Sequence, residues 1–356
     1  MLSFNEIFAD STKYCKKIKT DEYHETGKNM IVDQGQSEIA GYTDLEEGLF
    51  SDVPAIIFGD HTRIIKYVDK PFFIGADGVK VLKSKLEKAN YRYLYYALKN
   101  VKIPNTGYNR HFKWLKETIF NYPNSDRQQE IVLILNKLQS IITHLRTQLE
   151  KLDLLVKSRF VEIFGNIENM CTIADVCSII TDGTHQPPKF TTDGIPFLFV
   201  SNIATNEIVY NAEKFISEET YNDLYKRTPI EIGDIILSTV GSYGHPAIVK
   251  TNKKFLFQRH IAYLKPIPTT INSIYLHRAI LSDNVQRQID ERVKGIAQKT
   301  LNLSEIRKIV IPAPPLELQT QFANFVKQVD QSKSILQQEL TQTQTLFNSL
   351  MQEYFG

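Results

Sequence analysis

PNSDRQQEIVLILNKLQSIITHLRTQLEKLDLLVKSRFVEIFG, residues 123–165, decides how this chain is organised, because residues 314–356 repeat its pattern. The second copy begins PPLELQTQFANFVKQV and ends LMQEYFG, and a constant shift of 191 residues (123 to 314, 165 to 356) aligns the two without a gap. The shared proline at the start and Phe-Gly at the end make a chance match improbable. Self-similarity at a fixed interval indicates a repeated structural unit. The sequence therefore predicts two copies of one design, each a globular domain followed by a long helix.

Each copy has the apolar spacing of a long helix, and neither contains an internal Pro or Gly. From Ile131 to Val156 apolar residues recur at steps of four and three, which is the heptad seam of a coiled coil. Lys333 and Thr343 interrupt the second seam. A helix this long is marginal in water unless its apolar stripe is covered. The obvious cover is the other copy; the alternative is that each helix packs on its own domain. The residues predicted to pair the helices are Leu135, Leu138, Ile142, Leu145, Leu149, Val326, Val329, Leu336, Leu340 and Phe347.

The segments before the helices have the mixed pattern of α+β domains. Short β-rich runs such as Ile195–Ile203, Asp234–Val240 and Phe255–Leu264 are separated by Gly, Pro, Asn and Asp. Short helices are expected at Glu218–Lys226, Ser273–Ile289, Lys88–Lys99 and Asn302–Lys308. The predicted architecture is two similar α+β domains with mixed, irregular sheets, at 1–124 and 166–314, and two long helices, at 125–165 and 315–356.

The composition of the 356-residue chain, 42% hydrophobic and 23% charged, is that of a globular protein in water. No run of about 18 apolar residues and no signal-peptide pattern occurs. The three cysteines lack metal-ligand spacing and suit buried thiols in a reducing compartment, so we expect a cytoplasmic protein. The net charge is only +2, so a nucleic-acid-binding face would have to be local. Basic clusters lie at 13–19, 226–227, 250–254 and 287–299.

The sequence does not match the catalytic motifs considered below. No Gly-x4-Gly-Lys-Ser/Thr phosphate loop is present, and the histidines form no zinc pattern. Residues 121–124, Asn-Tyr-Pro-Asn, have the wrong order for an adenine methyltransferase loop, and residues 240–244 are a lone short glycine motif. We therefore predict no catalytic residue and no metal site.

The remaining candidates for a functional site are polar loops that contain glycine. Asn, Gln, Arg, Ser and Thr read base edges, and backbone amides and hydroxyls hold phosphates. The plainer interpretation is that these residues make turns. The candidate DNA-contacting residues are Gln34, Gln36, His61, Arg63, Asn105, Asn109 and Arg110 in the first domain and Thr184, His185, Asn202, Ser242, Tyr243, Arg259 and Lys299 in the second.

The arrangement resembles the specificity subunits of type I restriction–modification systems over essentially the whole chain. The resemblance rests on the domain–helix–domain–helix order, on Gln-Gln-Glu-Ile (128–131) and Leu-Glu-Leu-Gln-x-x-Phe (316–322), on the Phe-Gly helix endings, and on Thr-Asp-Gly-Thr-His at 181–185. It implies two target recognition domains that read a split, asymmetric DNA site, with the helices forming an antiparallel coiled coil that sets the gap between the halves.

The same resemblance implies the partners. Two modification subunits that carry S-adenosylmethionine and methylate adenine would dock on this chain, and two restriction subunits with ATP- and Mg-dependent activities would join. No cofactor is expected in this chain itself. Because recognition domains vary, the resemblance transfers no base-contacting residues. The loops of the two domains differ in sequence, so the half-sites should differ as well.

Three alternatives stay open at this point. The first is an enzyme, a self-contained DNA methyltransferase or nuclease with degenerate motifs. The second is a structural coiled-coil adaptor without DNA affinity. The third keeps the family and replaces the partner with an orphan methyltransferase.

Overall fold

The computed structural model describes residues 1–75, 77–107, 109–295 and 299–356. The chain divides into two units, the first comprising Met1–Arg146 with Gln338–Gly356 and the second Thr147–Gln337. Each unit holds one globular domain and one end of each long helix, so two separate stretches of chain build the first unit. In the described part of the chain, no helix has the length and apolar character needed to cross a bilayer.

The first domain contains short strands and three short helices among its described residues. The strands are β1 (Leu2–Ser3), β2 (Phe8–Asp10), β3 (Asn29–Val32), β4 (Gly41–Thr43), β5 (Ala55–Gly59), β6 (Ile65–Val68), β7 (Phe72–Ile74), β8 (Val79–Ser84) and β9 (Ile119–Phe120). The helices are α1 (Phe4–Ile7), α2 (Tyr91–Lys99) and α3 (Phe112–Lys116). Strands β2-β8-β5-β6 form an antiparallel sheet, β4-β3-β7 form a second sheet in which β3 and β7 are parallel, and β1 pairs with β9.

Two 40-residue helices follow the domains: α4 (Ser125–Phe164) after the first and α10 (Leu316–Phe355) after the second. The second domain has strands β10 (Met170–Thr172), β11 (Cys177–Asp182), β12 (Ile195–Leu198), β13 (Lys214–Ile216), β14 (Ile235–Ser238), β15 (Pro246–Ile248), β16 (Leu256–Phe257), β17 (Ile261–Pro266) and β18 (Val310–Pro312). Its helices are α5 (Ile173–Val176), α6 (Glu218–Tyr225), α7 (Ser273–Ile280), α8 (Asp283–Arg292) and α9 (Leu303–Ile306).

The two domains have the same strand order. The second contains the antiparallel sheet β11-β17-β14-β15, the sheet β13-β12-β16 with β12 and β16 parallel, and the pair β10-β18. Each of these repeats a sheet of the first domain strand for strand. The sequence did not predict strand register or topology. The matching strand order therefore extends the repeat from the helices to both domains. The mixed α+β prediction for both domains is confirmed.

The long helices keep the repeat's spacing at both ends, since α10 begins and ends 191 residues after α4 (125 to 316, 164 to 355). The two repeat-matched glutamines, Gln128 and Gln319, are buried in the first turn of each helix. The side-chain nitrogen of Gln128 donates to the carbonyl of Pro123 at 2.8 Å, and that of Gln319 donates to Pro314 at 2.9 Å. The same proline carbonyl is therefore satisfied in the same way before each helix.

The helices pack antiparallel within each unit. In the first unit Arg127 of α4 lies over the ring of Tyr354, while further along α4 Arg146 lies 3.5 Å from Gln344. In the second unit Asp153 pairs with Lys333 at 2.5 Å, and Phe164, near the end of α4, contacts Phe322 near the start of α10. The partner's residue number falls as the residue number on α4 rises.

The residues predicted to pair the helices all face inward to some degree. Leu135, Ile142, Leu145, Val326, Val329 and Phe347 are buried, and Leu138, Leu149, Leu336 and Leu340 are half-buried. Many also contact the domain of their own unit: Ile142 shares a core with Tyr93 and Phe347, and Val326 with Tyr275. The sequence treated helix pairing and domain packing as alternatives, whereas each unit combines them.

Turns or a helix cap divide or end three of the predicted elements. The expected helix Ser273–Ile289 is two helices, because Ser282 caps α8 by accepting a hydrogen bond from the amide of Val285 at 3.4 Å. The expected strand Ile195–Ile203 stops at Leu198, since residues 200–202 form a tight turn. The expected strand Phe255–Leu264 is β16 and β17, separated by a turn at 258–260.

Candidate nucleic-acid interface

The polar loops of the second domain meet at one edge of its antiparallel sheet. Backbone hydrogen bonds join neighbouring loops: the amide of Arg259 donates to the carbonyl of Thr184 at 3.0 Å, and the amide of Thr239 to His260 at 3.0 Å. A third bond, from the amide of Gly241 to Lys299 at 3.2 Å, adds the 299–300 segment. Loops far apart in sequence therefore form one continuous surface, here called the second-domain edge (residues 182–187, 239–245, 258–260 and 299–300).

The local sequence explains why the 183–187 loop lies so close to its neighbour. A Cβ at Gly183 would lie 2.2 Å from the carbonyl oxygen of Phe257 and 2.5 Å from that of Gln258. Only glycine allows this approach of two backbones. Thr184 then forms a backbone bridge with Gln258, which holds the loop against its neighbour.

Six of the seven predicted residues of the second domain lie on this edge with some exposure and carry donors. His185, Ser242, Arg259 and Lys299 are exposed, and Thr184 is half-buried. Burial lowers the pKa of the adjacent His260, and the charge of Arg259 lowers it further. The exposed Arg259 and Lys299 supply permanent positive charge at this edge.

Tyr243 and Asn202 are placed differently. Tyr243 lies on the edge half-buried, and its hydroxyl donates to Asp290 at 3.0 Å. Asn202 is buried; its side-chain oxygen accepts from the amide of Phe199 at 3.0 Å, and its nitrogen donates to Val209 and Asn211. The side-chain amide of Asn202 forms hydrogen bonds within its own turn. It therefore does not face solvent, although a contact with DNA would require it to do so.

Asp182 contacts an arginine and a histidine side chain at the end of β11. Its carboxylate accepts from Arg227 (Nη2 to Oδ1, 2.6 Å) and contacts His185 (Nε2 to Oδ2, 2.9 Å). The Asp182 side chain is 18% exposed, whereas those of His185 and Arg227 are about half exposed. Sequence reasoning placed Arg227 in a basic cluster but did not select it. What distinguishes Arg227 is its contact with Asp182, which is 45 positions away in the sequence.

In the first domain, Gln34 ties together the loops at the corresponding strand ends. Its side-chain oxygen accepts from the amide of His61 at 3.1 Å, and its nitrogen donates to the carbonyl of Asp77 at 2.8 Å. Thr62 donates to the backbone oxygen of Gln34. Both ends of this amide are engaged within the protein, whereas Gln36 is exposed. His61 and Arg63 are half-buried, and Arg63 donates to the carbonyl of Ile103 at 3.4 Å.

The 105–111 loop carries the other predicted residues of the first domain; Tyr108 within it, like Ala76 in the 75–78 loop, lies outside the described residues. Asn105, Asn109 and Arg110 are exposed. Asn105 accepts from the amide of Gly107, and Asn109 donates to the carbonyl of Thr106. The loop is anchored by His111, which is fully buried and bonded to the carbonyl of Asp60 at 2.9 Å.

The shared topology reveals a loop that sequence reasoning missed. β2 occupies the place of β11, so Asp10-Ser11-Thr12-Lys13 corresponds to Asp182-Gly183-Thr184-His185. The amide of Ser11 donates to Val81 at 2.8 Å, as that of Gly183 donates to Ile261 at 3.1 Å. The sequence interpretation looked for this counterpart at 33–36 and 59–63. An Asp-x-Thr pattern that begins at the last residue of the second strand of each domain, β2 and β11, was the available signal.

The segment that follows this loop is basic and carries an exposed aromatic ring. Lys13, Lys16, Lys17 and Lys19 are exposed, and the side chain of Tyr14 is 66% exposed. Lysines beside an exposed ring can contact phosphates and stack on bases. Together with the loops tied by Gln34, this segment forms the first-domain edge (residues 10–19, 33–36, 59–63 and 77–78).

Among the described residues, no group of three or more His, Cys, Asp or Glu side chains is placed to hold a metal ion. Burial raises the pKa of the Cys15 and Cys177 thiols to about 12, so both are protonated at neutral pH and are poor nucleophiles.

Comparison with known proteins places the chain among DNA specificity proteins. The family model described as "Type I restriction modification DNA specificity domain" matches residues 4–153 and 168–344. The specificity subunit of the Escherichia coli type I restriction enzyme EcoBI is 29% identical over 171 residues, which is 48% of this chain and 36% of that protein. The E. coli EcoR124I/EcoR124II specificity subunit is 28% identical over 155 residues, 40% of this chain and 38% of that protein.

These alignments span little more than a third of either E. coli relative. A solved structure extends the likeness to the whole fold: the S subunit of a type I restriction–modification system from M. genitalium matches with a TM-score of 0.59 at 16% identity, covering 100% of this chain and 98% of that one. At this identity the match shows a shared architecture of paired α+β domains and long helices.

Proposed function

Because this chain belongs to the family of type I restriction modification DNA specificity domains, we propose that it is the sequence-reading, non-catalytic subunit of a type I restriction–modification complex. Each globular domain is a target recognition domain that reads one half of a split, asymmetric DNA site. In this proposal the recognition domains are residues 1–124 and 166–314. The coiled-coil helices that hold them apart are residues 125–165 and 315–356.

One observation carries the proposal: two domains of identical strand order present polar and basic loops at the same strand ends. Reading two half-sites requires two similar surfaces that differ in their side chains. Phosphate contacts position a protein on DNA, and side chains that reach base edges give specificity. The second-domain edge combines both kinds of group, with Arg259 and Lys299 beside Ser242 and Thr184.

The two edges differ enough to read different sequences. The first-domain edge carries Lys13, Lys16 and the exposed ring of Tyr14, whereas the second presents Arg259 and His185. Lysine is a point charge, while arginine has a planar fork that matches guanine. The proposal therefore includes an asymmetric site, with unrelated sequences in its two halves.

The proposed protein partners are two modification subunits, joined by two restriction subunits in the complete complex. Apolar side chains stand exposed on the long helices: Leu133 at 71% in the first unit, and Leu154 at 61% and Ile335 at 58% in the second. Exposed apolar side chains on long helices suit a protein partner that covers them. S-adenosylmethionine, ATP and Mg²⁺ belong to these partners in the proposal, this chain holds no cofactor, and the complex acts in the cytoplasm, where the DNA is.

The test is to produce this chain with its modification subunit and map methylated adenines across the host genome. We expect one two-part motif with a fixed gap and no methylation from either protein alone. Methylation or cleavage of DNA by the purified chain alone, supplied with S-adenosylmethionine or Mg²⁺, would overturn the non-catalytic role. An assembled complex without sequence preference would make the chain a structural adaptor.

Partner binding has its own control. Leu154→Ser should weaken capture of the modification subunit, whereas Val156→Ser, a change at a buried position two residues away, should instead destabilise the second unit. Full assembly with Leu154→Ser, Leu133→Ser and Ile335→Ser combined would contradict the proposed contact on the helices.

A further inference from the structure

The carboxylate of Asp182, on the second-domain edge, forms an ion pair with the guanidinium of Arg227, which follows α6. Arg227 Nη2 lies 2.6 Å from Asp182 Oδ1, and Arg227 Nε lies 3.4 Å from the backbone oxygen of the same residue. Two donors of one guanidinium thus bind one residue, which fixes the plane of the fork as well as its position.

Both residues of the pair are held by the backbone. Asp182 ends β11, where it pairs with Ala262 of β17, and the tightly packed Gly183 follows it. Arg227 follows α6, with its amide donating to the carbonyl of Leu224 at 3.2 Å, and its neighbour Thr228 is buried. The guanidinium is therefore presented from two rigid elements rather than from a free loop, as a precise contact requires.

Arg227, one member of this pair, lines a cleft of about 410 Å³. Its walls include Gly183, His185, Lys189, Asp223 and Arg227. Thr184, in the same wall, is bonded to the amide of the exposed Arg259. The cleft therefore continues into the loops to which the proposed function assigns DNA contact.

We propose that Arg227 reads a guanine in the second half-site and that Asp182 is its positioning residue. This inference rests on the proposed function. Arg227 has five N–H donors, and its two contacts with Asp182 leave donors for the O6 and N7 acceptors that arginine recognises on guanine.

A phosphate is the poorer partner for this side chain. Asp182 already compensates the charge of Arg227, and its own carboxylate, 18% exposed, repels a phosphate brought close. What the pair offers is directional hydrogen bonding, which suits the edge of a base. At the equivalent place in the first domain, Asp10, the counterpart of Asp182, contacts Lys80 at 3.1 Å, and lysine has no planar fork. The inference therefore concerns the second half-site only.

The experiment uses the chain assembled with its modification subunit and a set of duplexes in which each base pair of the mapped site is replaced in turn. With the wild-type chain, this set of duplexes defines both half-sites. If the wild-type complex shows no preference for a two-part sequence, the proposed function itself is wrong. Arg227→Ala should lose preference at one G·C pair of the second half-site by about 5- to 150-fold. The first half-site should keep its preferences.

Three further variants identify the contact. Arg227→Lys keeps the charge but not the fork, so it should lose the same preference. Asp182→Asn frees the guanidinium and should weaken preference at the same pair, with thermal melting used to confirm that the second unit is folded. Lys226→Ala removes an equal charge one residue away and should change affinity equally for all sequences.

A chemical probe of the DNA completes the test. Replacing that guanine with 7-deazaguanine removes the N7 acceptor, so wild-type binding should weaken while Arg227→Ala binding stays the same. The inference is overturned if Arg227→Ala keeps every base preference, or if it weakens all sequences equally while the salt dependence falls by about one phosphate contact. In both cases the bipartite site of the wild-type complex would still stand.

Discussion

The end of α4 offers the sharpest test of how the second unit is held together. Phe164 is 1% exposed, and its ring centroid lies 4.8 Å from that of Tyr275, 5.0 Å from Phe160 and 5.2 Å from Phe322. These four rings join α4, α7 and α10. Phe164→Ala removes a fully buried ring from the centre of this cluster, and such changes cost about 3–5 kcal/mol.

The sequence repeat supplies a matched control. Phe355 is the counterpart of Phe164, 191 residues later (164 to 355), but it is half-buried, and its ring contacts Tyr93 at 5.2 Å in the first unit. Phe355→Ala should cost about 1–2 kcal/mol, since only part of the ring leaves the core. The two variants remove the same atoms from equivalent places in the sequence, so their difference reports burial.

Hydrogen exchange followed by mass spectrometry separates the two units. A loss of 3–5 kcal/mol should speed exchange of the slowest amides in Thr147–Gln337 by about 150- to 5,000-fold, because each 1.4 kcal/mol is tenfold. Exchange in β5 and β8 of the first unit should barely change. The reasoning is refuted if Phe164→Ala leaves α7 and the start of α10 as protected as before, or if Phe355→Ala has an equal effect.

Three shorter predictions follow from the second unit. Arg259→Ala should reduce preference for the second half-site by roughly 1–3 kcal/mol while the first half stays unchanged; methylation mapping checks this, and a uniform loss would make Arg259 a phosphate contact. Gly183→Ala should abolish reading of the second half-site because its Cβ meets the Phe257 carbonyl at 2.2 Å. Gly241→Ala, whose Cβ meets no described atom within 4 Å, should cost only about 1–2 kcal/mol from its φ of +72°. Burial, together with a smaller contribution from the charge of Arg278, lowers the pKa of His277 from 6.5 to about 3, so the unfolded state binds the extra proton. Stability of the second unit should be complete above about pH 6.5 and fall as the pH drops from 6.5 towards 3; urea midpoints at pH 7.5 and 5 measure this, and an equal drop in His277→Gln would contradict the assignment.

The long helices were predictable because their signal is local and repeated. Pro123 and Pro314 mark the starts, no glycine interrupts either helix, and the heptad spacing continues for many turns. The sheets were not predictable, since strands of two to six residues pair across long distances. The parallel pairing of Met30 with Phe72 is an example, because nothing near either residue specifies the other. The single expected helix at 273–289 failed because a serine that caps a helix looks the same in sequence as one within a helix.

The candidate site was predictable in part. Arg259 and Lys299 follow from chemistry alone, because long exposed cations in glycine-rich loops face solvent and suit DNA. Asn202 and Gln34 show the limit, since an amide that can read a base edge bonds equally well to a backbone. Arg227 was not selected because its significance depends on Asp182, with which it makes contact only after folding. Roles that arise from such pairs are invisible in a single sequence.

The split composition of the first unit has a consequence for how the protein is made. Residues 338–356 contribute Phe347 and Met351 to the same core as Ile131, Leu135 and Ile142. A ribosome adds about 5–20 residues per second, so the whole of Thr147–Gln337 emerges, over roughly 10–40 s, before those residues exist. The domain synthesised first is therefore the last to complete its core. Until then, the apolar surface that Phe347 and Met351 will cover is exposed, and chaperones can bind it. For the same reason, a genetic exchange that replaces the second half of the gene also replaces part of the first domain's interior.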